Sequence, residues 1–401
     1  MKITQVRTMV LTGTDPSGMG GMPRPWNVML VRVDTDSGLY GLGEAAHWQR
    51  GYFGVREAIN YVGDRLIGKS PFDIKRTIHE HFYGALPPHK PRTLPATVVT
   101  VGPIVWAMSG IEIALMDLVG KALETPVYNL LGGRFRDRIL VYLDRSAPAN
   151  KADLGAWREL ALESRESGFK DIKFDIDHTA PDKTTDVWSR SMDRAQMRAV
   201  VERLSVARDA VGWDMNISAD CHMCYDVPTS IALANELAPL KLKWLEDPTP
   251  VMNQDAVRQI RSKSPIPICV GEMFTADQFR SWVGNEACDI IHPDVLFTGG
   301  LTETAKIAEL ANLHHIPIAL HNNSSSVGVV AASHVAAATA NFIGMEYHFI
   351  KADWIGKIAW RGGRPLIEKG HVVLGDEPGL GLTLDEDVCR AHLAEGETYF
   401  G

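Results

Sequence analysis

Cysteine is scarce in this sequence, with five in 401 residues. A sparse and odd set of cysteines does not suit a disulfide framework and fits a reducing cytoplasm. A block of basic residues is also missing, and the formal net charge is −8. Nucleic acid is therefore a poor candidate partner, because it is bound by clustered basic side chains. We expect a cytoplasmic protein that does not bind nucleic acid.

Long hydrophobic runs are lacking as well. The nearest to a membrane span, residues 327–340, is short and rich in alanine, and Ser333 and His334 interrupt it. A membrane-spanning helix needs about 18 or more consecutive apolar residues, so no span is expected. The first residues show neither the apolar core nor the small-residue cleavage site of a signal peptide. What remains is an ordinary globular composition, with 45% hydrophobic and 22% charged residues.

The N-terminal region alternates between apolar and polar residues in the way that antiparallel strands require. Residues 3–11 and 28–33 form two such runs, and a third runs toward Glu44 after a turn. Residues 13–25 between the first two are rich in Gly, Pro and Met and predict a loop. Residues 53–83 and 104–124 carry helical spacing. These patterns predict an α+β domain over residues 1–133.

Short β-rich runs then recur, each followed by a segment long enough for a helix. The intervals of roughly 25–45 residues are typical of repeated βα units, which favours a parallel sheet closed into a barrel over residues 134–369. Residues 370–401 lack this rhythm, and we expect them to pack back on the first domain. The eight predicted strands are residues 139–143, 171–176, 216–220, 242–246, 266–271, 290–294, 316–321 and 342–346.

Ionisable residues follow seven of these strands directly. Barrel enzymes build their active sites at the C-terminal ends of the strands, so such residues converge on one mouth. A single acidic residue there is more often a helix cap than a ligand, and Asp247 before Pro248 is interpreted in that way. A set on seven strands is difficult to explain by capping alone. Its members are Lys173, Asp175, Asp220, His222, Glu246, Asp247, Glu272, Asp294, His321 and Glu346.

Three of these carboxylates, Asp220, Glu246 and Glu272, are spaced 26 residues apart and so stand on adjacent strands. Hard oxygen ligands with room for water and substrate suit Mg²⁺, whereas softer metals prefer His or Cys. The alternative is that Lys and Arg partners hold the three carboxylates. The spacing favours the magnesium site.

A series of motifs, in this order along nearly the whole chain, resembles the enolase superfamily and its mandelate racemase subgroup. The resemblance implies a (β/α)7β TIM-like barrel with an N-terminal α+β capping domain, completed by the C-terminal segment. It also implies Mg²⁺ on Asp220, Glu246 and Glu272. The motifs are residues 31–38, 41–45, 113–122, 126–127 with Leu-Leu-Gly-Gly at 130–133, 244–248, 271–272, 293–294 with Gly299-Gly300, and 378–381.

In the subgroup, an Asp–His pair on the sixth and seventh strands removes a proton next to a carboxylate, and Asp294 and His321 match it. The carboxylate orients the imidazole, so we expect His321 to be a base that works near neutral pH. Racemases of the subgroup carry Lys-x-Lys on the second strand, whereas this chain has Lys173 and Asp175. Lys173 can still neutralise a substrate carboxylate. Asp175 is expected to be ionised, with a lowered pKa, and is either a base or a partner of Lys173.

Two further roles follow from the resemblance. His222 matches an acid that helps a hydroxyl group leave in the sugar-acid dehydratases of the family. Glu346 matches a carboxyl group that, when protonated, donates a hydrogen bond to the enediolate. Specificity is expected from loops of the capping domain, whose candidate contacts for a polyol are Arg24, Trp26, His47, Trp48, His89 and Arg92.

These expectations favour a carbon–oxygen hydro-lyase that dehydrates an aldonate or aldarate to a 2-keto-3-deoxy acid. Loss of the second lysine disfavours a racemase or epimerase on the same scaffold, but it leaves a lactone cycloisomerase open. A non-catalytic binding barrel has no need of such a charge cluster. The family resemblance also implies a homo-oligomer.

Overall fold

The computed structural model describes residues 1–15, 24–46, 51–76, 102–177, 188–348 and 352–401. The chain begins with an antiparallel sheet of three strands in the order β1-β2-β3. The strands are β1 (Ile3–Asp15), β2 (Arg24–Thr35) and β3 (Tyr40–Ala45). Val31 and Val33 on β2 are fully buried, as the predicted alternation requires.

The first two strands extend further than the sequence pattern indicates. Gly13 pairs with Trp26, and Asp15 pairs with Arg24. The loop predicted over residues 13–25 is therefore wrong at both of its ends, because ladder hydrogen bonds continue the hairpin there. Residues 16–23 lie outside the described part.

The described residues of the N-terminal part then include the helices α1 (Tyr52–Leu66), α2 (Pro103–Ala122) and α3 (Val127–Leu130). The segment predicted as one helix over residues 53–83 is interrupted. Residues 74–76 are helical again, and residues 77–83 lie outside the described part. The first helix, α1, ends at Leu66, and Gly68 then has a φ of 77°. Glycine tolerates this left-handed conformation, which terminates helices.

The most apolar long helix is α2. By length and composition it would pass as a membrane span, with a mean hydropathy of 1.4, but 83% of that stretch is buried inside the protein. It packs on β3 and β2 and is the central core helix of the N-terminal part. The run expected from the sequence to come nearest to a membrane span was a different one, residues 327–340. A helix over most of that run, Ser326–Ala338, is also buried.

The predicted barrel is confirmed. Eight parallel strands pair in chain order, and the last pairs with the first to close the barrel. The strands are β4 (Arg138–Asp144), β5 (Asp171–Asp175), β6 (Asn216–Asp220), β7 (Leu245–Glu246), β8 (Ile268–Val270), β9 (Ile290–Ile291), β10 (Ile318–Leu320) and β11 (Phe342–Tyr347). Several ladders are only two or three residues long, so five of the strands, β5 and β7 to β10, are shorter than the apolar runs that predicted them.

Helices connect these strands around the outside of the barrel. Most begin at a polar residue of their own chain segment; Asp193, for example, accepts N–H groups of the first turn of its helix in a capping box. The connecting helices are α4 (Leu154–Glu166), α5 (Arg194–Val211), α6 (Val227–Leu237) with the short 3₁₀ turn Ala238–Leu240, α7 (Gln254–Arg261), α8 (Ala276–Gly284), α9 (Leu301–Leu313) and α10 (Ser326–Ala338).

The C-terminal segment contacts both parts of the molecule. The N–H of Ala394 donates to the carbonyl of Val10 on β1, and Arg7 donates to the carbonyl of Phe400. The short strand β13 (His371–Val373) also pairs antiparallel with β4 of the barrel. The elements are α11 (Asp353–Lys357), β12 (Ala359–Trp360), β13 (His371–Val373), β14 (Thr383–Leu384) and α12 (Glu386–Ala391).

Candidate active site

The ammonium group of Lys173 lies at the centre of a buried carboxylate cluster. It is 2.7 Å from Glu246, 2.8 Å from Glu346, 3.2 Å from Asp220 and 3.3 Å from Asp144. Each of these residues lies at the C-terminal end of its own strand, so closure of the barrel brings them together. Burial acts to lower the pKa of Lys173, but Glu246, Glu346 and Asp220 outweigh it and raise that pKa well above its usual value. One fixed positive charge therefore stabilises several carboxylates.

The expected hydrogen bond between Asp294 and His321 is present, with 2.6 Å between Oδ2 and Nδ1. The other ring nitrogen, Nε2, lies 3.4 Å from Glu272 and 3.7 Å from Glu346. Burial lowers the pKa of His321, but Glu346, Glu272 and Asp294 raise it to about 9. This is higher than the near-neutral value expected from the Asp294 contact alone, because two further carboxylates face the ring.

His222 lies in a second group with Asp175 and Asp220, in which potential ligand atoms are within 4.8 Å of one another. Its Nε2 is 3.6 Å from Asp220, and its Nδ1 is 3.7 Å from Asp177. Burial acts to lower the pKa of His222, but the neighbouring carboxylates, Asp220 first, raise it well above its usual value. His222 is thus held in its protonated form. Its φ of 45° turns the chain sharply after β6.

The structure contradicts the expected ionisation of Asp175. Burial, followed by the charge of Asp144, raises the pKa of Asp175 to about 7, although His222 and Lys173 oppose the rise. The predicted lowering of the pKa of Asp175 took account of Lys173 and a metal ion only. Within the described part of the chain the ion pairs of Lys173 are with four other carboxylates, so Asp175 is not its salt-bridge partner.

The expected neutral form of Glu346 is not what its surroundings favour. Tyr142 donates to Glu346 at 2.6 Å, Lys173 donates at 2.8 Å, and His348 lies at 2.5 Å. Burial acts to raise the pKa of Glu346, but Lys173, His321 and His348 outweigh it and hold that pKa well below its usual value. In this structure Glu346 is a carboxylate that accepts hydrogen bonds.

The three predicted magnesium ligands do not form one set in this geometry. Asp220 and Glu246 are register partners on β6 and β7 and share Lys173, whereas Glu272 approaches His321. Three other groups bring potential ligand atoms within 4.8 Å of one another: Glu246, Cys269 and His292; Asp144, Glu346 and His348; and Asp175, Asp220 and His222.

Asp247 differs from the helix cap that its position before Pro248 indicated. The helix that follows, α7, is capped by Asn253. Asp247 is buried with a φ of 37°, and its Oδ1 has no hydrogen-bond partner among the described residues. Burial and the charges of Glu272 and Glu246 raise the pKa of Asp247 well above its usual value. This unpaired oxygen adds to the cation-binding character of the strand ends.

Sequence reasoning missed four residues of this site: Asp144, Tyr142, His292 and His348. Asp144 directly follows the predicted first strand, so it completes the set of strand ends. Tyr142 lies two residues before Asp144, His292 two before Asp294, and His348 two after Glu346. Residues two apart on an extended segment point the same way. His292 lies 3.3 Å from Glu246 and 3.4 Å from Glu346.

The expected polyol contacts are mostly outside the described residues: His47, Trp48, His89 and Arg92 all are. The backbone of Arg24 lies in β2, paired with Asp15. Trp26, on the same strand, is partly buried against the hydrophobic core. Their role in substrate binding stays a prediction.

Most of the chain matches two protein-domain families. Residues 156–388 match the family described as "Enolase C-terminal domain-like", and residues 19–132 match "Mandelate racemase / muconate lactonizing enzyme, N-terminal domain". The chain belongs to the enolase superfamily. Members of this superfamily bind a divalent metal, and the carboxylate and histidine groups described above provide ligands of that kind.

Several relatives of this superfamily chain carry dehydratase names. A D-xylonate dehydratase from Haloferax volcanii is 35% identical over 400 residues, covering 100% of this chain and 90% of that protein. A D-mannonate dehydratase from Sphingomonas sp. is 29% identical and covers 91% of each chain. A solved mandelate racemase/muconate lactonizing enzyme-like protein from Rubrobacter xylanophilus has a TM-score of 0.88 and 36% identity, covering 100% of this chain and 99% of that one.

Proposed function

We propose that this protein is a Mg²⁺-dependent hydro-lyase that dehydrates a sugar acid, an aldonate or aldarate, to a 2-keto-3-deoxy acid. The proposal is supported most by the positions of His321 and His222 in the barrel. His321 follows the seventh strand and is paired with Asp294, and His222 follows the third strand, four strands away. In a closed barrel of eight strands these positions face each other across the mouth, so a bound substrate meets an imidazole on either side.

The residues present fit a divalent cation. Asp220, Glu246 and Glu272 lie at or just after the ends of three adjacent strands and would supply hard oxygen ligands, which suit Mg²⁺. In this structure Lys173 joins the first two and Glu272 faces His321, so binding the cation would draw the three carboxylates together. The buried Oδ1 of Asp247 accepts no hydrogen bond from the described residues, which leaves an oxygen at this side of the mouth that a cation could satisfy. When bound, the cation stabilises negative charge on the substrate carboxylate.

The side chains of this protein perform the remaining steps. Lys173 helps to neutralise the substrate carboxylate. His321, oriented by Asp294, removes the proton from C2 in its neutral form, whose share grows as the pH rises toward its pKa of about 9. The resulting enediolate expels the hydroxyl group on C3, which takes a proton from His222 and leaves as water. The enol that remains becomes the 2-keto-3-deoxy acid. Glu346 holds Lys173 and His348 in place by accepting their hydrogen bonds.

The alternatives fit the site less well. A racemase or epimerase needs a competent base on both faces of the substrate, and Asp175 stands where the racemases have a lysine. A lactone cycloisomerase uses one base and stays the second candidate, because the site does not discriminate between leaving groups. A non-catalytic barrel would gain nothing from the buried cluster around Lys173. Cytoplasmic location and a homo-oligomeric state remain part of the proposal, from the cysteine content and the family.

A substrate screen tests this proposal. The purified protein with Mg²⁺ is incubated with a panel of mono- and di-acid sugars that includes D-xylonate, D-mannonate and D-galactonate, and 2-keto acid formation is measured. His321→Asn serves as the inactive control. The proposal predicts 2-keto acid from at least one member, absent in the control. Conversion of a lactone with no loss of water, or no turnover of any sugar acid, would contradict it.

A further inference from the structure

Two barrel helices receive carboxylates from the N-terminal part of the chain. Elsewhere the caps are local: Asp153, Asp226 and Asn253 each accept an N–H group from the first turn of the helix that they precede. α9 has no such local cap, and α10 has one from Ser325, whose hydroxyl accepts the N–H of Val327, but each also receives a carboxylate from the N-terminal part. These two helices begin shortly after Asp294 and His321.

Glu112 of α2 reaches the first turn of α9. Its two oxygens accept the N–H groups of Leu301 at 2.7 Å and Thr302 at 3.0 Å. The preceding residue, Gly300, supplies no side-chain cap and has a φ of 100°. A Cβ at Gly300 would lie 2.2 Å from Glu112 Oε2, so glycine is what allows the carboxylate to come this close.

Glu44 of β3 does the same at α10. It accepts the N–H of Ser325 at 3.0 Å, the N–H of Gly328 at 2.9 Å and the hydroxyl of Ser325 at 2.6 Å. Both carboxylates are buried, and helix N-termini favour negative charge. Each helix therefore begins at a fixed point on the N-terminal part.

Short, hydrogen-bonded segments join these fixed points to the catalytic pair. Between His321 and Ser325, the hydroxyl of Ser324 donates to Asn322 at 2.6 Å, and the side-chain N–H of Asn322 donates to the carbonyl of Glu346 at 3.1 Å. A shift of α10 would thus move His321 and the end of the eighth strand together.

The segment after Asp294 is equally constrained. The N–H groups of Phe297 and Thr298 donate to the carbonyl of Asp294. The ring of Phe297 lies 6.3 Å from that of His321 and 5.3 Å from that of Trp106, which belongs to α2 as Glu112 does. The N-terminal part therefore contacts the catalytic pair through both segments.

We propose that Glu44 and Glu112 are positioning residues, which set the distance and angle between Asp294 and His321 by fixing the first turns of α9 and α10. This inference rests on the proposed role of His321 as the base. Neither carboxylate contacts the ring itself, so each acts through the helix that it holds. Because small displacements of a base reduce rate steeply, the effect should appear in kcat.

The test compares Glu112→Gln with Asp117→Asn. Asp117 is the control: it is buried on the same helix and accepts two backbone N–H groups at 2.8 Å, from Leu42 and Leu380. It also accepts from the ammonium of Lys121, and none of these partners belongs to α9 or α10. Both variants turn one oxygen into an N–H donor that faces a backbone N–H. Melting temperatures are recorded to establish that both variants are folded.

Glu112→Gln should lower kcat by about 10- to 100-fold with KM within about threefold, whereas Asp117→Asn should leave kcat within about twofold. The imidazole N–H resonance of His321, assigned by its loss in His321→Asn, should shift in Glu112→Gln alone. Equal kcat and an unchanged resonance in both variants would overturn the proposal. If Glu112→Gln does not fold, Ser325→Ala removes the hydroxyl bonded to Glu44 and should lower kcat by about threefold; wild-type kcat there would overturn the proposal.

The resonance also separates two kinds of failure. If no sugar acid is turned over, the proposed function fails, yet the resonance still reports whether Glu112 positions the ring. If a sugar acid is turned over but Glu112→Gln has the resonance and the kcat of the wild type, the positioning role alone is wrong.

Discussion

Replacing Lys173 with methionine should destabilise the protein more than loss of any single surface ion pair. The side chain keeps its length and apolar stem but loses the ammonium, so Glu246, Glu346, Asp220 and Asp144 remain buried without their shared positive partner. Removing one partner of a buried ion pair costs about 3–5 kcal/mol. The four contacts share one charge and are not additive, so we expect a loss within that range.

The pH dependence of this loss has a definite sign. Without Lys173 the folded-state pKa values of the remaining carboxylates rise, so their protonation stabilises the folded variant as the pH falls. The deficit of Lys173→Met should therefore be largest at pH 8 and smaller at pH 5.5. Urea unfolding followed by tryptophan fluorescence, with a chelator present, measures it at both values.

Lys243→Met is the control for this prediction. Lys243 pairs with Asp171 at the opposite end of the barrel strands and is partly exposed. Its loss leaves one carboxylate without its positive partner instead of four, and Asp171 still accepts a hydrogen bond from Asn216, so the cost should be smaller than for Lys173. A deficit for Lys173→Met no greater than that of Lys243→Met at pH 8 would refute the argument that one ammonium stabilises the cluster.

Three further outcomes are expected. His321→Asn should lower turnover by roughly 10²–10⁴-fold or more while the melting temperature stays near wild type; wild-type turnover would show that the base lies elsewhere. Glu44→Gln should flatten the pH dependence of stability. Burial raises the pKa of Glu44 from 4.5 to about 7, so the folded protein keeps Glu44 protonated in that pH range. About 3 kcal/mol of folding stability is therefore lost as the pH rises from 4.5 to 7. Equal slopes in urea titrations of both proteins would contradict that. Asp175→Lys should not improve dehydration, and a faster variant would show that the second-face base limits the reaction.

The fold could be predicted because strand-end residues repeat with the barrel. Every predicted barrel strand is present, and Asp220 ends both the predicted and the observed third strand. The lengths of five of the eight barrel strands were overestimated, since an apolar run continues past the last ladder hydrogen bond; β7 is only Leu245–Glu246 within the predicted 242–246. The hairpin of β1 and β2 was underestimated, because pairing overrides the glycine-rich composition.

Ionisation states were harder to predict from the sequence. After burial, the pKa of Asp175 depends most on Asp144, which lies on the neighbouring strand β4, and that of Glu346 depends most on Lys173 and His321. Asp144 meets Asp175 when β4 pairs with β5, and Lys173 meets Glu346 when β11 pairs with β4 and closes the barrel. Local spacing carries no information about such contacts.

The positioning carboxylates show the same limit. Glu44 stands in a motif that was recognised, but its partner Ser325 is 281 residues away. Glu112 also lies in the N-terminal part, 189 residues from Leu301. Nothing near either residue in the sequence indicates a helix N-terminus in the barrel.

The central claim is that His321 removes the C2 proton and the C3 hydroxyl then leaves as water. Its most direct test is turnover of an active sugar acid with Mg²⁺ in D₂O, with product and recovered substrate analysed by NMR. We predict a 2-keto-3-deoxy acid that carries deuterium at C3, and recovered substrate whose C2 configuration is unchanged. Substrate inverted at C2, with deuterium there and no loss of water, would contradict the account and make Asp175 a working base.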